Sequence, residues 1–260
     1  MDKTIVSCIQ MNVVTGDIDH NLDRASKLFQ AAKTHHPDFI VFPEMFLTGF
    51  AYPDLHKIAR IYRKEFEKFF AQISQESGAY IIGGSIPEDD DHKTYNTCLI
   101  YNPFGKIIGQ YRKMNLFSLT EEDKNFFPGH KEHVFETNFG KIGVAICYDL
   151  RFPEIFQKMA LEGAKIIFVP AQFPHPRRDH WITLLKARAI ENQIFIVGCN
   201  RVGGQRLNHF GSSMIIDPNG TILNEGGEKE AIVSEAIYLE LVEEARNKLP
   251  VFDIIKNKSL

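Results

Sequence analysis

The sequence predicts an α/β protein in which two mixed sheets face each other and helices cover their outer sides. Strand-like apolar runs alternate with segments of helical period along most of the chain. The order strand, helix, strand, helix, strand, hairpin occurs twice. A length of 260 residues without a low-complexity linker suits one large α/β unit.

In the first half, residues 4–11 read as a strand. Residues 20–33 read as a helix, with Leu22, Ala25, Leu28, Phe29 and Ala32 at helical spacing. Residues 38–42 form a short buried strand, and 57–76 an amphipathic helix carrying Ile58, Ile61, Tyr62, Phe66, Phe69, Phe70 and Ile73. A strand at 79–85 ends on Gly83-Gly84, read as a turn. Strands at 96–101 and 106–112 pair across Asn102-Pro103-Phe104-Gly105. In the second half, a strand at 141–146 precedes a helix from Pro153 to near Gly163. A strand at 165–170, a helix at 179–192 and a strand at 194–199 follow. Strands at 213–217 and 221–223 pair across Asp217-Pro218-Asn219-Gly220. The likeness of the halves is architectural, with no residue-level repeat. The charge runs Glu88-Asp89-Asp90-Asp91-His92 and Glu121-Glu122-Asp123-Lys124 read as exposed loops.

Composition removes several classes of function. A net charge of −3 and a longest basic cluster of Pro176-Arg177-Arg178 leave no electrostatic footprint for nucleic acid. No Gly-x-Gly-x-x-Gly and no P-loop is present, so no nucleotide cofactor is expected. Cys8, Cys98, Cys147 and Cys199 lack metal-ligand spacing, and no metal is expected. No apolar run reaches 18 residues and no signal-like segment opens the chain, so no membrane partner is expected. A reduced, cytoplasmic setting is the simplest one for a free thiol.

Three strand endings carry chemistry. Cys147 closes the run Gly143–Ile146 ahead of a helical segment, a position where a helix N-terminus favours thiolate. Glu44 ends Phe39-Ile40-Val41-Phe42-Pro43, and Lys113 ends the run from Ile107 to Arg112. Taken singly, these are a core cysteine or a nucleophile, and two solvated charges or two reactive ones. Taken together, a thiol, a carboxylate and an ammonium at strand ends are where α/β sheets build sites. Of the histidines, His130, His133, His175, His180 and His209 fall in loops or helix starts, and none has a segment that argues for pairing with Cys147.

Phe-Pro-Glu44-Met, Tyr-Arg-Lys113-Met and Ile-Cys147-Tyr-Asp-Leu-Arg-Phe-Pro-Glu resemble, in order, the three signature segments of the nitrilase (carbon–nitrogen hydrolase) superfamily. The resemblance runs along nearly the whole chain. It implies one carbon–nitrogen hydrolase domain over residues 1–260, folded as a four-layer αββα sandwich. It implies that Cys147 attacks an amide carbonyl, that Glu44 acts as general base and acid, and that Lys113 and the Tyr148 N–H stabilise the oxyanion. It also implies a second, supporting glutamate after the lysine. Both Glu121 and Glu122 lie in that loop, and the stretch from Glu122 to Gly129 aligns better with Glu122 in the role.

Pro170-Ala-Gln-Phe-Pro-His-Pro-Arg177, the helix that follows and Cys199-Asn-Arg-Val-Gly203 are similar to the omega-amidase branch, which cleaves the terminal amide of 2-oxoglutaramate or 2-oxosuccinamate. Phe173 stands where that branch usually has Trp. Tyr148, Arg151, Phe173, Phe117 and Arg201 are the candidate substrate-contacting residues. Arg151 and Arg201 are the cations for a substrate carboxylate, with an Arg151–Glu154 ion pair as the alternative. Arg188 and Glu191, three apart on a helix, are expected to pair structurally. An N-carbamoyl amino-acid or polyamine amidohydrolase with the same triad, and a catalytically silent binding module, remain alternatives. A homodimer is expected through 151–164 and 181–190, whose apolar residues exceed one core-facing stripe.

Overall fold

The computed structural model describes residues 3–258 apart from 53, 132, 205 and 206. The chain order is β1 (Lys3–Gln10), α1 (Ile18–Lys33), β2 (Phe39–Val41), α2 (Leu55–Ser77), β3 (Tyr80–Ile82), β4 (Ile86–Asp90), β5 (Lys93–Tyr101) and β6 (Ile107–Arg112). Then come α3 (Glu122–Asn125), β7 (Val134–Thr137), β8 (Gly140–Val144), α4 (Pro153–Leu161), β9 (Ile166–Ala171), α5 (Arg178–Asn192) and β10 (Phe195–Asn200). The last elements are β11 (Val202–Gly203), β12 (His209–Phe210), β13 (Met214–Ile216), β14 (Ile222–Glu225), β15 (Ala231–Tyr238), α6 (Glu240–Lys248) and α7 (Val251–Lys258).

One sheet runs β15-β1-β2-β3-β5-β4, with β6 also paired to β5; the other runs β14-β13-β10-β9-β8-β7. The two-residue side-chain period of each strand sorts the core into layers. Phe39 and Val41 of β2 join Ile166 and Phe168 of β9 and Phe195 and Val197 of β10 in the layer between the sheets. The intervening Ile40 packs with Phe29 of α1 and Phe66, Phe69 and Phe70 of α2. Ile167, Val169 and Ile196 pack with Phe156 and Met159 of α4 and Trp181 and Leu185 of α5. Three apolar layers between four layers of elements give the expected αββα sandwich. Full burial of each such side chain stabilises by about 1.5–3 kcal/mol before entropy is counted.

Local chemistry sets the element ends. The Asp17 side chain accepts the His20 N–H and caps α1. Gly78 ends α2 in the left-handed region at φ 67°. Asn102 Oδ1 accepts the Phe104 and Lys106 N–H groups, and Asp217 Oδ1 those of Asn219 and Thr221, closing both expected hairpins.

The two halves are alike as expected, β1-β2-β3-β5-β6 in one sheet matching β8-β9-β10-β13-β14 in the other, and β15 adds an antiparallel partner along all of β1, from Lys3↔Tyr238 to Gln10↔Ala231. Three expectations need correction. The run from Glu88 to Asp91 is not simply a loop: β4 covers its first part, and Glu88 is buried, accepting from Thr97 at 2.6 Å and from Arg112 at 2.9 and 3.0 Å. Within Glu121–Lys124, Glu122 is buried as well. The apolar surplus of α4 and α5 is largely consumed inside the subunit, where Ile155, Phe156, Met159, Ala160, Trp181 and Leu185 are all buried.

Candidate active site

The residues of the site come from the strand ends of both sheets. Glu44 follows β2 by three residues, Lys113 directly follows β6, and Gln172 directly follows β9. Cys147 opens a five-residue 3₁₀ turn just after β8. The Lys113 Nζ donates to Glu44 Oε1 at 2.8 Å and to both oxygens of Glu122 at 2.8 Å. All three side chains are about 1% exposed. The Asn96 Nδ2 donates to Glu44 Oε1 at 2.9 Å and Glu122 Oε1 at 3.0 Å. The Gln172 N–H reaches Glu44 Oε2 at 3.0 Å, and the Cys147 thiol lies in hydrogen-bonding reach of the same carboxylate.

Backbone geometry holds these groups in place. Cys147 has φ +47°, a left-handed conformation that a residue with a side chain adopts only when its surroundings enforce it. Buried Asp149 enforces it. Its Oδ2 accepts from the Ile146 N–H at 2.9 Å and the Tyr111 hydroxyl at 2.7 Å, and its Oδ1 accepts both Asn115 donors. On the other sheet, Gly84 passes so close to the Glu44 segment that a Cβ there would lie 2.0 Å from the Pro43 carbonyl. Glu122 is fixed from outside by the Phe117 N–H at 2.8 Å.

Electrostatics reverse one expectation. Burial, followed by the Glu44 charge, pushes the Cys147 thiol well above its ordinary value, so a helix N-terminus does not lower it. A five-residue turn offers little dipole, whereas desolvation and a neighbouring carboxylate both penalise thiolate. Burial also raises the Glu44 carboxyl against the pull of Lys113. For Lys113, burial favours the neutral amine, but Glu122 and Glu44 outweigh it and hold the ammonium well above its usual range. The resting site is thus a thiol beside a carboxylate of raised basicity, bridged to a second carboxylate by an ammonium.

Residues 5–247 match the carbon–nitrogen hydrolase family. The chain belongs to that family. It is 38% identical over 255 residues to a 2-oxoglutaramate amidase of Bacillus subtilis, with 98% of each chain covered. It is 32% identical to an omega-amidase of Xenopus tropicalis, over 96% of this chain and 94% of that one. Its fold matches the crystal structure of a Saccharomyces cerevisiae member of branch 10 of the nitrilase superfamily with TM-score 0.90, at 30% identity over 95% and 94% of the two chains. The protein is therefore a hydrolase of carbon–nitrogen bonds with the nitrilase fold.

Around the thiol of this hydrolase, the other sequence-derived candidates divide. The Phe117 and Tyr148 rings meet at 4.8 Å. The Arg151 guanidinium lies 5.9 Å from the Tyr148 ring and 5.5 Å from that of Phe173, with Nη2 3.3 Å from His180 Nδ1. It does not pair with Glu154. Phe173 is buried on Trp181 at 5.3 Å and supplies wall rather than contact edge. Arg201 is 3% exposed; its Nη1 donates to Gln172 Oε1 and its Nη2 to the Val13 carbonyl, while its Nε has no partner among the described residues. Glu121 is exposed and pairs with Lys124, so only Glu122 reaches Lys113. Arg188 pairs with Glu191 as expected, at 2.9 Å, and also donates to the Leu150 carbonyl. Asn96, Asp149 and Gln172 belong to the site without having been singled out. Arg177 joins the rim, its guanidinium 5.7 Å from the Phe117 ring.

Proposed function

We propose that the chain hydrolyses the terminal carboxamide of a small carboxylic acid monoamide of the 2-oxoglutaramate type, giving the acid and ammonia through a thioester on Cys147. The observation that carries this reading is the convergence of Glu44 on the Cys147 thiol with Lys113 and Glu122 behind it. Cys147 Sγ attacks the amide carbon while Glu44 takes the thiol proton. Neutralising Glu44 releases part of the Lys113 ammonium to the new oxyanion, beside the Tyr148 N–H. Glu44 then protonates the leaving nitrogen, the C–N bond breaks and ammonia departs. A water loses its proton to Glu44 and attacks the thioester, the C–S bond breaks, and the proton returns to sulfur.

Two features support a substrate carrying a carboxylate. Relatives named 2-oxoglutaramate amidase and omega-amidase cover nearly the whole chain. Arg151 and Arg177 stand on the aromatic rim and form no ion pair among the described residues, which leaves two planar forks for an anionic group. Ammonia release from 2-oxoglutaramate, measured beside propionamide and N-carbamoyl amino acids, tests the assignment. Selectivity for the oxo-acid amide that falls by about tenfold or more in Arg151→Leu or Arg177→Leu supports it. Preference for an N-carbamoyl substrate, with carbon dioxide released alongside ammonia, overturns it.

The same reading places the enzyme in the cytoplasm as a homodimer, acting on a small molecule without nucleic-acid or membrane partners. Among the described residues, no helix is long and apolar enough to cross a membrane. Support for the dimer is the family resemblance together with Ile190, 52% exposed on α5, and the partly exposed Phe152, Leu161 and Leu184 nearby. Light scattering should give twice the chain mass of 29.7 kDa, and the chain mass itself at micromolar concentration would reject the dimer.

A further inference from the structure

We propose that Asn96 is a positioning residue that clasps Glu44 through Oε1 and so makes Oε2 the oxygen that carries the proton. This rests on the reading of Glu44 as the general base.

Asn96 lies inside β5 and is 1% exposed. Its carbonyl accepts the Lys113 N–H at 2.9 Å, so amide and lysine start from neighbouring positions on paired strands. Its Nδ2 spends one hydrogen on each carboxylate, Glu44 and Glu122. The amide orientation follows from chemistry, because the reversed amide would set Oδ1 against two carboxylate oxygens. Lys113 Nζ reaches the same two Oε1 atoms. Glu44 Oε1 is therefore held by a cation and a neutral donor at once. Among the described residues Oε2 accepts only the Gln172 N–H, and the Cys147 thiol lies in reach of the carboxylate. The two oxygens of one carboxylate thus have separate tasks, anchoring for Oε1 and proton exchange for Oε2.

The choice of an amide is informative. Two carboxylates and one ammonium leave the dry cluster with excess negative charge, and burial together with the Glu122 charge raises the Glu44 carboxyl against the pull of Lys113. A second cation at position 96 would relieve this but would depress the basicity that Glu44 needs. A neutral donor holds the geometry and leaves most of that basicity in place. Packing alone does not ask for asparagine here. Its Oδ1 is buried without a partner among the described residues, and a leucine of similar size would fill the volume without that unmet acceptor.

Asn96→Leu removes the donor while keeping the volume, and Asn96→Ala removes it without adding bulk. Three quantities are read: kcat and KM for ammonia release, the pH dependence of Cys147 alkylation by chloroacetamide, and the melting temperature. The proposal predicts kcat reduced by about 30-fold or more with KM within about threefold. It also predicts that the acid limb of the alkylation profile moves to higher pH by about half a unit, because Glu44 loses a donor to its charged form. Unchanged kcat with an unshifted profile overturns it. So does activity lost only in proportion to unfolded protein, or failure of both variants to fold, since each marks a structural role. The alkylation profile needs no amide substrate, so it judges Asn96 even if the wild type cleaves no oxo-acid amide.

Discussion

Neighbouring glutamates in one loop have opposite fates. Glu121 sits at φ +62°, exposed and paired with Lys124, where an ion pair contributes little. Glu122 is buried, with both oxygens on Lys113 and one on the Phe117 N–H. Glu122→Gln removes half the charge that keeps Lys113 protonated and oriented. It should lower kcat/KM by about two orders of magnitude, whereas Glu121→Gln should stay within about twofold. Steady-state ammonia release checks both, and the reverse ranking would remove Glu122 from the site. Glu44, Lys113 and Cys147 were legible because a charge or thiol at the end of an apolar strand is conspicuous in one dimension. Asn96 was not legible: it lies mid-strand, and its partner Glu44 is 52 residues away. The thiol's acidity was misjudged because the sequence shows the following helical segment but not the Glu44 carboxylate that folding brings beside it.

At the scale of elements, β4, β5 and β6 form the platform for Lys113 and Asn96. Thr97 opposes Arg112 in the register, one step from both residues. Glu88 clamps that pair from β4, and Arg112 also stacks 4.0 Å from the Tyr95 ring. Glu88→Ala leaves Arg112 and Thr97 without their shared acceptor and should cost about 2–3 kcal/mol of stability. Urea unfolding checks this, and a change below about 0.5 kcal/mol would show that Asp90 and solvent replace the clamp. The sequence hid this element because Glu88 heads a run of acids that looks solvated throughout. Only the alternation of β4 turns Glu88 inward toward Arg112, and nothing in the run itself marks which acid that is. By contrast, α1, α2, α4 and α5 and the hairpin turns were legible to within a few residues, since Phe66, Phe69, Phe70 and Ile73 or Asn102–Gly105 carry their signals locally.

For the whole molecule, the four layers follow from strand alternation, and sheet closure does not. β15 pairs with β1 across more than 220 residues, and its half-exposed pattern lacks the apolar run by which buried strands are read. A pH response belongs to this scale. Burial, followed by the Arg201 charge, lowers the His209 pKa to about 4, against the Gly203 carbonyl that favours protonation. The unfolded chain titrates near 6.5, so this contribution is complete above pH 6.5 and is lost as pH falls from there toward 4. Two and a half units correspond to about 3 kcal/mol. Unfolding free energies at pH 7.5 and 4.5 should therefore differ less in His209→Gln than in the wild type, and equal differences would reject the assignment.

The thioester is the step on which every role assigned to Glu44, Lys113, Glu122 and Asn96 depends. Acid quenching of the wild type during turnover of 2-oxoglutaramate, followed by intact-mass and peptide analysis, observes it directly. The account predicts a mass gain equal to the substrate acyl group, located on Cys147 and absent from Cys147→Ala, which should also release no ammonia. Turnover without any acyl adduct, together with Cys147→Ala activity within about tenfold of the wild type, would contradict it.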